Sequence, residues 1–334
     1  MRTCVFWVMT FFSVQGLAAG AGESLIRWHD EQHFSPQQQE TVTAHQVWKL
    51  CALYPSLKDS YWLSVNYGMQ QAARRYGVSL KVQEAGGYRQ LSTQKTQIAQ
   101  CKEWGADAIL LGSSTTSFPD LKKQVGTLPV IEVVNAIHDA TTRTRVGVPW
   151  FQMGYQPGRY LVKWSGGKPL KLLLMPGPDD AGGSREMVAG FRDAIAGSQV
   201  QIVDVALGDN DIEVQRNLLQ EMLERHPDID VVAGTAIAAE AAMGERRNLA
   251  TPLTVVSFYL SHQVYRGLKR GRVLMAASDQ MVWQGQLAVE QAINVLQGRN
   301  VPDNVSPPIL VLTPENADSK HSRKIGRASC RERV

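Results

Sequence analysis

The chain has 334 residues, 44% of them hydrophobic and 20% charged, with a formal net charge of +4. Most of that charge sits at the ends: Arg327, Arg331 and Arg333 against Glu332 near the C-terminus, and Arg2 at the start, account for three of the four net positive charges. The rest is nearly neutral, with Lys and Arg interspersed among Asp and Glu, which removes any electrostatic case for a nucleic-acid partner.

Residues 1–21 read as a secretory signal peptide: Arg2 gives a positive start, an apolar run covers 5–14, and Leu17-Ala18-Ala19 and Ala19-Gly20-Ala21 offer small-x-small cleavage sites. Export to the periplasm is expected, an uncleaved anchor being the alternative; no later run approaches ~20 uninterrupted apolar residues. Residues 325–334, IGRASCRERV, read as a non-native tail and are left out of the fold argument. Cys4 goes with the leader and Cys330 with the tail, leaving Cys51 and Cys101. In an oxidising compartment that pair is either a disulfide or two buried thiols, and its spacing resembles no metal site. The remaining stretch, about 300 residues, suits two α/β domains better than one core.

In chain order, a polar, Gln-rich lead at 32–43 reads as an extended arm. Strand KLCALY then precedes a helix at 62–76, closed by Tyr76-Gly77, and strand VSLKVQEA runs to Gly86-Gly87-Tyr88. A helix over 91–104, strand AILLGSS, a helix at 118–125 and strand PVIEVVN complete a β-α alternation, the signature of a doubly wound parallel sheet. The segment 137–149, polar with a short apolar close, reads as a crossing.

The alternation then restarts. A helix from Trp150 to Trp164 leads into KLLLMPG, REMVAGFRDAIA, QIVDVAL, IEVQRNLLQEMLERHP, IDVVAGT, AAEAAMGERRN and TVVSFY. Strand VLMAASD, a helix over 284–296 and strand PPILVLT follow, one element more than two simple beads need. The expected α/β architecture is therefore two doubly wound parallel-sheet lobes joined by a three-segment hinge: 46–149 plus 279–306 in the first, 150–278 plus 307–317 in the second. Such a hinge suits closure around a ligand.

The loop after the first strand, YPSLKDSYW, has neither G-x-G-x-x-G nor G-x-x-x-x-G-K-[ST], so no glycine cradle brings amides onto a phosphate, and no nucleotide cofactor is expected. Tyr61 and Trp62 instead stand at a helix mouth beyond a strand's carboxyl end, where open α/β sheets bind ligands, which points to a small organic molecule. The blocks LCALYPSLKDSYWLSVNYGMQ, AILLGSSTTSFPDL, VGVPWFQMGYQPGRYLV, LLLMPGPDDAGGSREMV and GDNDIEVQRNLLQEMLERHP, with the alternation and triple crossing, resemble the type I periplasmic binding proteins, the fold of the ribose-binding protein and of lactose-repressor ligand domains. The resemblance covers about residues 46–314 and is stronger still to a trimethylamine-N-oxide-sensing branch of that family.

That resemblance implies a non-enzymatic sensor that holds trimethylamine N-oxide between its lobes. It also implies a partner, the periplasmic sensor domain of a membrane histidine kinase, and induction of trimethylamine-N-oxide respiration. Tyr61, Trp62, Tyr88, Trp150 and Tyr259 fall at loop or strand ends and suit a trimethylammonium group, because ring faces attract cations. Tyr hydroxyls and indole N–H groups can donate to the oxide, and Asp59 supplies a nearby negative charge.

Each residue has a plainer reading: Tyr61 and Trp62 as a staple or core contact, Trp150 as a hinge-packing helix start, Tyr259 as cover for the second sheet. Trp62→Ala is expected to weaken binding without unfolding the protein. The sugar-importer role of other family members is the competing function. An exported hydrolase is the third: Ser184 lies in no G-x-S-x-G elbow, and the histidines show no triad or metal spacing, so neither catalysis nor a metal is expected. The acid pairs 179–180 and 209/211 read as turn and cap residues.

Overall fold

The structure, a computed structural model, describes residues 24–30, 33–39, 41–139, 142–179, 183–245 and 253–318. The leader at 1–21 and the tail at 325–334 lie outside the described residues.

The first sheet is centred on β3 (Lys49–Tyr54), buried along nearly its whole length, as a strand covered by helices on both faces must be. It lies between β4 (Ser79–Glu84) and β5 (Ala108–Leu111), with β6 (Val130–Val134) and β7 (Thr144–Gly147) continuing in parallel beyond β5. The 137–149 segment, expected as a plain crossing, thus contains a strand. Thr144 and Val146 are buried while Arg145 is only partly so, and that short alternation was too brief to stand out among polar neighbours.

The N-terminal lead also differs from the expected arm. β1 (Ser24–Asp30) and β2 (His33–Gln38) form an antiparallel hairpin. It joins the sheet through β13 (Asn304–Ser306), giving the order β2-β1-β13-β7-β6-β5-β3-β4. The Arg145 guanidinium lies 5.6 Å from the Trp28 ring centroid, a cation–π contact that ties the hairpin to β7.

Helix α1 (Ser60–Tyr76) begins at an Asp59 cap, whose side chain accepts the Tyr61 N–H, and ends at Gly77 in the left-handed region with φ +67°. Its buried stripe of Tyr61, Trp62, Val65, Gly68, Met69, Ala72 and Ala73 follows helical spacing and faces the sheet and α9 (Met281–Leu296). The two helices meet backbone to backbone: a Cβ on Gly285 would stand 2.0 Å from the Val65 carbonyl oxygen, and one on Gly68 1.9 Å from that of Val282. On the opposite face of the sheet, α2 (Leu91–Glu103) is joined to β3 by a disulfide between Cys51 and Cys101.

The second sheet has the order β14-β12-β11-β10-β8-β9. Its strands are β8 (Leu170–Gly177), β9 (Val200–Leu207), β10 (Val231–Gly234), β11 (Thr254–Ser257), β12 (Met275–Ser278) and the antiparallel β14 (Leu310–Leu312). Helices α4 (Trp150–Ser165), α5 (Ser184–Ile195), α6 (Ile212–Arg225), α7 (Ala236–Glu245) and α8 (His262–Lys269) alternate with them. The chain changes sheet three times: between β7 and α4, between β12 and α9, and between β13 and β14. Among the described residues, no helix is long and apolar enough to cross a membrane.

Candidate functional site

In each sheet the strand order reverses beside a central strand, β3 in the first and β8 in the second. Loops at the carboxyl ends of strands flanking such a reversal splay apart and leave a crevice. Here the two crevices face each other, and the 56–60 and 86–88 loops of the first lobe meet residues 209–212, 237, 240 and 262–263 of the second around an opening of about 510 Å³.

Four of the expected aromatics converge behind that opening. The Tyr61 and Trp62 rings meet edge to face at 5.7 Å, and Tyr61 meets Tyr259 of the other lobe at 5.5 Å, also edge to face. The Trp62 indole N–H donates to the Tyr88 hydroxyl oxygen at 3.1 Å. Trp62 is fully buried, flanked by Tyr54 at 5.5 Å between centroids and seated over Gly112, where a Cβ would lie 2.6 Å from the ring. Of the two roles expected for Trp62, ligand contact and core contact, its complete burial makes it a core residue.

Hydrogen bonding fixes what the phenols can still offer. Tyr88 accepts from Trp62, while the neighbouring Asn135 amide donates to the Ser113 carbonyl at 2.8 Å. Burial raises the Tyr259 hydroxyl well above its ordinary value, with neighbouring Thr235 acting in the opposite direction. A phenol oxygen that is already an acceptor keeps its own proton to donate. Asn135 follows Val134, whose φ of +68° is a true outlier for a β-branched residue. Local strain of this kind clusters at functional sites.

Asp59 caps α1 from beneath the opening and is almost wholly buried. Burial pushes its carboxyl up to about 6, against the lowering effect of the Tyr61 N–H, and nearby Asp209 adds to the rise. Its charge in turn helps raise Tyr88, Tyr259 and Glu240, each of which is raised chiefly by burial. The crevice is thus bordered by a buried acid and Tyr88, with the rings of Tyr61, Trp62 and Tyr259 packed behind it.

Trp150 stands in the second lobe at the start of α4, its ring packed over Gly183, whose φ is +72°. Its indole N–H is buried with no hydrogen-bond partner among the described residues. No ring contact joins it to the other four among the described residues, so it is placed near the hinge with a donor unspent rather than in their cluster.

Asp279, expected only to mark a crossing between the lobes, bonds to one of the clustered aromatics. Its Oδ2 accepts the Tyr61 hydroxyl and, at 2.8 Å, the Gln284 amide. Burial pushes this carboxyl up to about 6 as well, partly offset by the Tyr61 hydroxyl. The available signal was an acid between a buried strand and a helix, which reads equally as a cap.

A family profile described as periplasmic binding proteins and sugar binding domain of LacI family matches residues 47–330. The chain is 75% identical over 324 residues to the periplasmic protein TorT of Escherichia coli K12, covering 97% of this chain and 94% of that protein. Among solved structures it is similar to a complex of TorT with the TorS sensor domain in the absence of ligand, with a TM-score of 0.77 and 42% identity over 83% of this chain and 97% of that one. The same complex in the presence of TMAO gives a TM-score of 0.73 at 43% identity, over 80% and 93%. A Bradyrhizobium ABC-transporter solute binding protein with bound bis-tris gives a TM-score of 0.80 at 33% identity, over 92% and 96%.

Proposed function

We infer the function from the family: the chain belongs to the periplasmic binding proteins, which hold a ligand rather than transform it. In this reading it is exported to the periplasm, binds trimethylamine N-oxide between its lobes and reports it to the periplasmic sensor domain of a membrane histidine kinase. The kinase then induces the trimethylamine-N-oxide reductase system.

One observation carries the ligand. Rings from both lobes meet behind a crevice bordered by the buried Asp59 and by Tyr88, whose oxygen already accepts a bond and so keeps its own proton to donate. Trimethylamine N-oxide needs that pair of features, a negative, apolar shell for its cationic methyl groups and donors for its oxide. Cation–ring contact in a desolvated site contributes on the order of 0.5–2 kcal/mol per ring. Tyr88 and Tyr259 donate to the oxide, Trp62 and Tyr61 supply ring faces, Asp59 supplies the field, and Trp150 offers its unspent N–H as the lobes close. The relative that was solved with its sensor domain and TMAO supports both ligand and partner. Signalling requires that ligand and partner favour the same lobe arrangement, so each must strengthen the other's binding.

Calorimetry on the leader-less protein, with and without the sensor ectodomain, tests this: binding of trimethylamine N-oxide that tightens with the partner is expected, and no heat in either case overturns it. The solute-importer reading is favoured by the ABC-transporter relative. It predicts a thermal shift with a pentose or hexose and none with the N-oxide.

A further inference from the structure

The second crossing between the lobes is two residues long, Asp279 and Gln280. Gln280 holds φ +59° and ψ 53°, a left-handed conformation uncommon outside glycine, and its side-chain amide donates to the Pro308 carbonyl of the third crossing at 2.8 Å. The backbone from which Asp279 projects is therefore anchored within the hinge. Its carboxylate is 1% exposed and holds the hydroxyl of Tyr61, whose ring edge meets Tyr259 across the lobes. Gln284, the carboxylate's other partner, precedes Gly285, where α9 and α1 touch backbone to backbone.

We propose that Asp279 is a positioning residue: by holding the Tyr61 hydroxyl at the hinge, it sets both the orientation of the Tyr61 ring and the lobe separation at which Tyr61 and Tyr259 meet. A residue that links hinge backbone to the cleft wall converts a ring orientation into a lobe angle, since packed elements have discrete rather than continuous arrangements. Asp279 acts through Tyr61 rather than on the N-oxide. Its Oδ1 is buried without a hydrogen-bond partner among the described residues, and trimethylamine N-oxide carries no N–H or O–H to give it. The link to binding rests on the ligand reading above; the link to lobe separation does not.

Small-angle scattering of the ligand-free protein tests the proposal on wild type, Tyr61→Phe, Asp279→Ala and Asp279→Asn. Tyr61→Phe and Asp279→Ala are expected to increase the radius of gyration. Asp279→Asn keeps a carbonyl acceptor for the Tyr61 hydroxyl and is expected to stay near wild type. Where the N-oxide binds, the first two variants lose about tenfold in affinity each, and their combination loses little more, because both remove one interaction. Wild-type scattering from both overturns the proposal, and if Asp279→Ala does not fold, Tyr61→Phe decides it alone. A wild type that binds no N-oxide while the two variants open leaves the positioning role standing and removes the ligand. A wild type that binds while the variants scatter unchanged does the reverse.

Discussion

The Trp62 indole N–H and the Tyr88 hydroxyl oxygen, 26 positions apart, form a 3.1 Å hydrogen bond that makes one wall of the crevice. Because the Tyr88 oxygen accepts there, its own proton is left to donate. Tyr88→Phe removes that proton and strands the buried Trp62 N–H, which costs about 1–3 kcal/mol when left unpaired. Lower stability in urea and at least a tenfold loss of N-oxide affinity by calorimetry are expected. A folded variant with wild-type affinity removes the Tyr88 hydroxyl from the ligand's donors.

The burial of Trp62 changes the variant that tests it. Truncation to Ala in a packed core costs roughly 3–5 kcal/mol, a large share of a domain's whole stability, so Trp62→Ala cannot separate binding from folding. Gly112→Ala is the milder probe: its Cβ would press on the Trp62 ring and shift it, at a cost of about 1–3 kcal/mol. Reduced affinity with a retained cooperative melt is the expected outcome, read by calorimetry and thermal unfolding.

Affinity and stability should respond to pH in opposite directions. With the Asp59 carboxyl held at about 6, its negative charge is lost as pH falls from 7.5 to 5, and N-oxide binding weakens with it. Asp59→Asn, which still caps the helix, should bind weakly with a flatter profile; Lys58, Asp209, Asp211, Glu240 and His262 also border the opening and set what slope remains. For folding, Asp59 and Asp279 both rise from an ordinary 3.8 to about 6, so the native state binds protons more tightly than the unfolded chain. They therefore oppose folding above about pH 6, and that cost fades as pH falls toward 4. Denaturant midpoints of wild type and Asp279→Asn at pH 7.5 and 4.5 check this: the variant's advantage should shrink at the lower pH.

The Cys51–Cys101 disulfide joins residues 50 apart between β3 and α2, on the opposite face of the sheet from α1. Closing a loop of that size contributes about 2–4 kcal/mol. The Cys51→Ala/Cys101→Ala variant should lose stability by that amount under oxidising conditions while binding the N-oxide with near-native affinity. A parallel drop in affinity would show that the bond also shapes the crevice.

Local patterns set most of the elements. Leu50 to Leu53 is a continuous apolar run and became the middle of a buried strand, while Asp59 and Gly77 mark the ends of α1 as capping chemistry requires. Strand β7 escaped because it is short and its apolar alternation brief, and the hairpin because its second strand lies in a Gln-rich, polar stretch; what holds them is pairing with β13, about 160 positions beyond β7, and no local pattern records a partner so distant.

The crevice divides the same way. Asp59, Tyr61, Trp62 and Tyr88 were legible because a turn at a strand's carboxyl end places side chains at the sheet's edge whatever the rest of the chain does. That Tyr259 meets Tyr61, that Trp150 sits apart over Gly183, and that Asp279 takes the Tyr61 hydroxyl were decided only when two lobes, each folded from its own alternation, closed on three crossings. Sequence by itself determined which residue types stand at the ends of strands. Contacts between lobes depend on a hinge angle, a property of the packed whole that no short stretch of chain encodes.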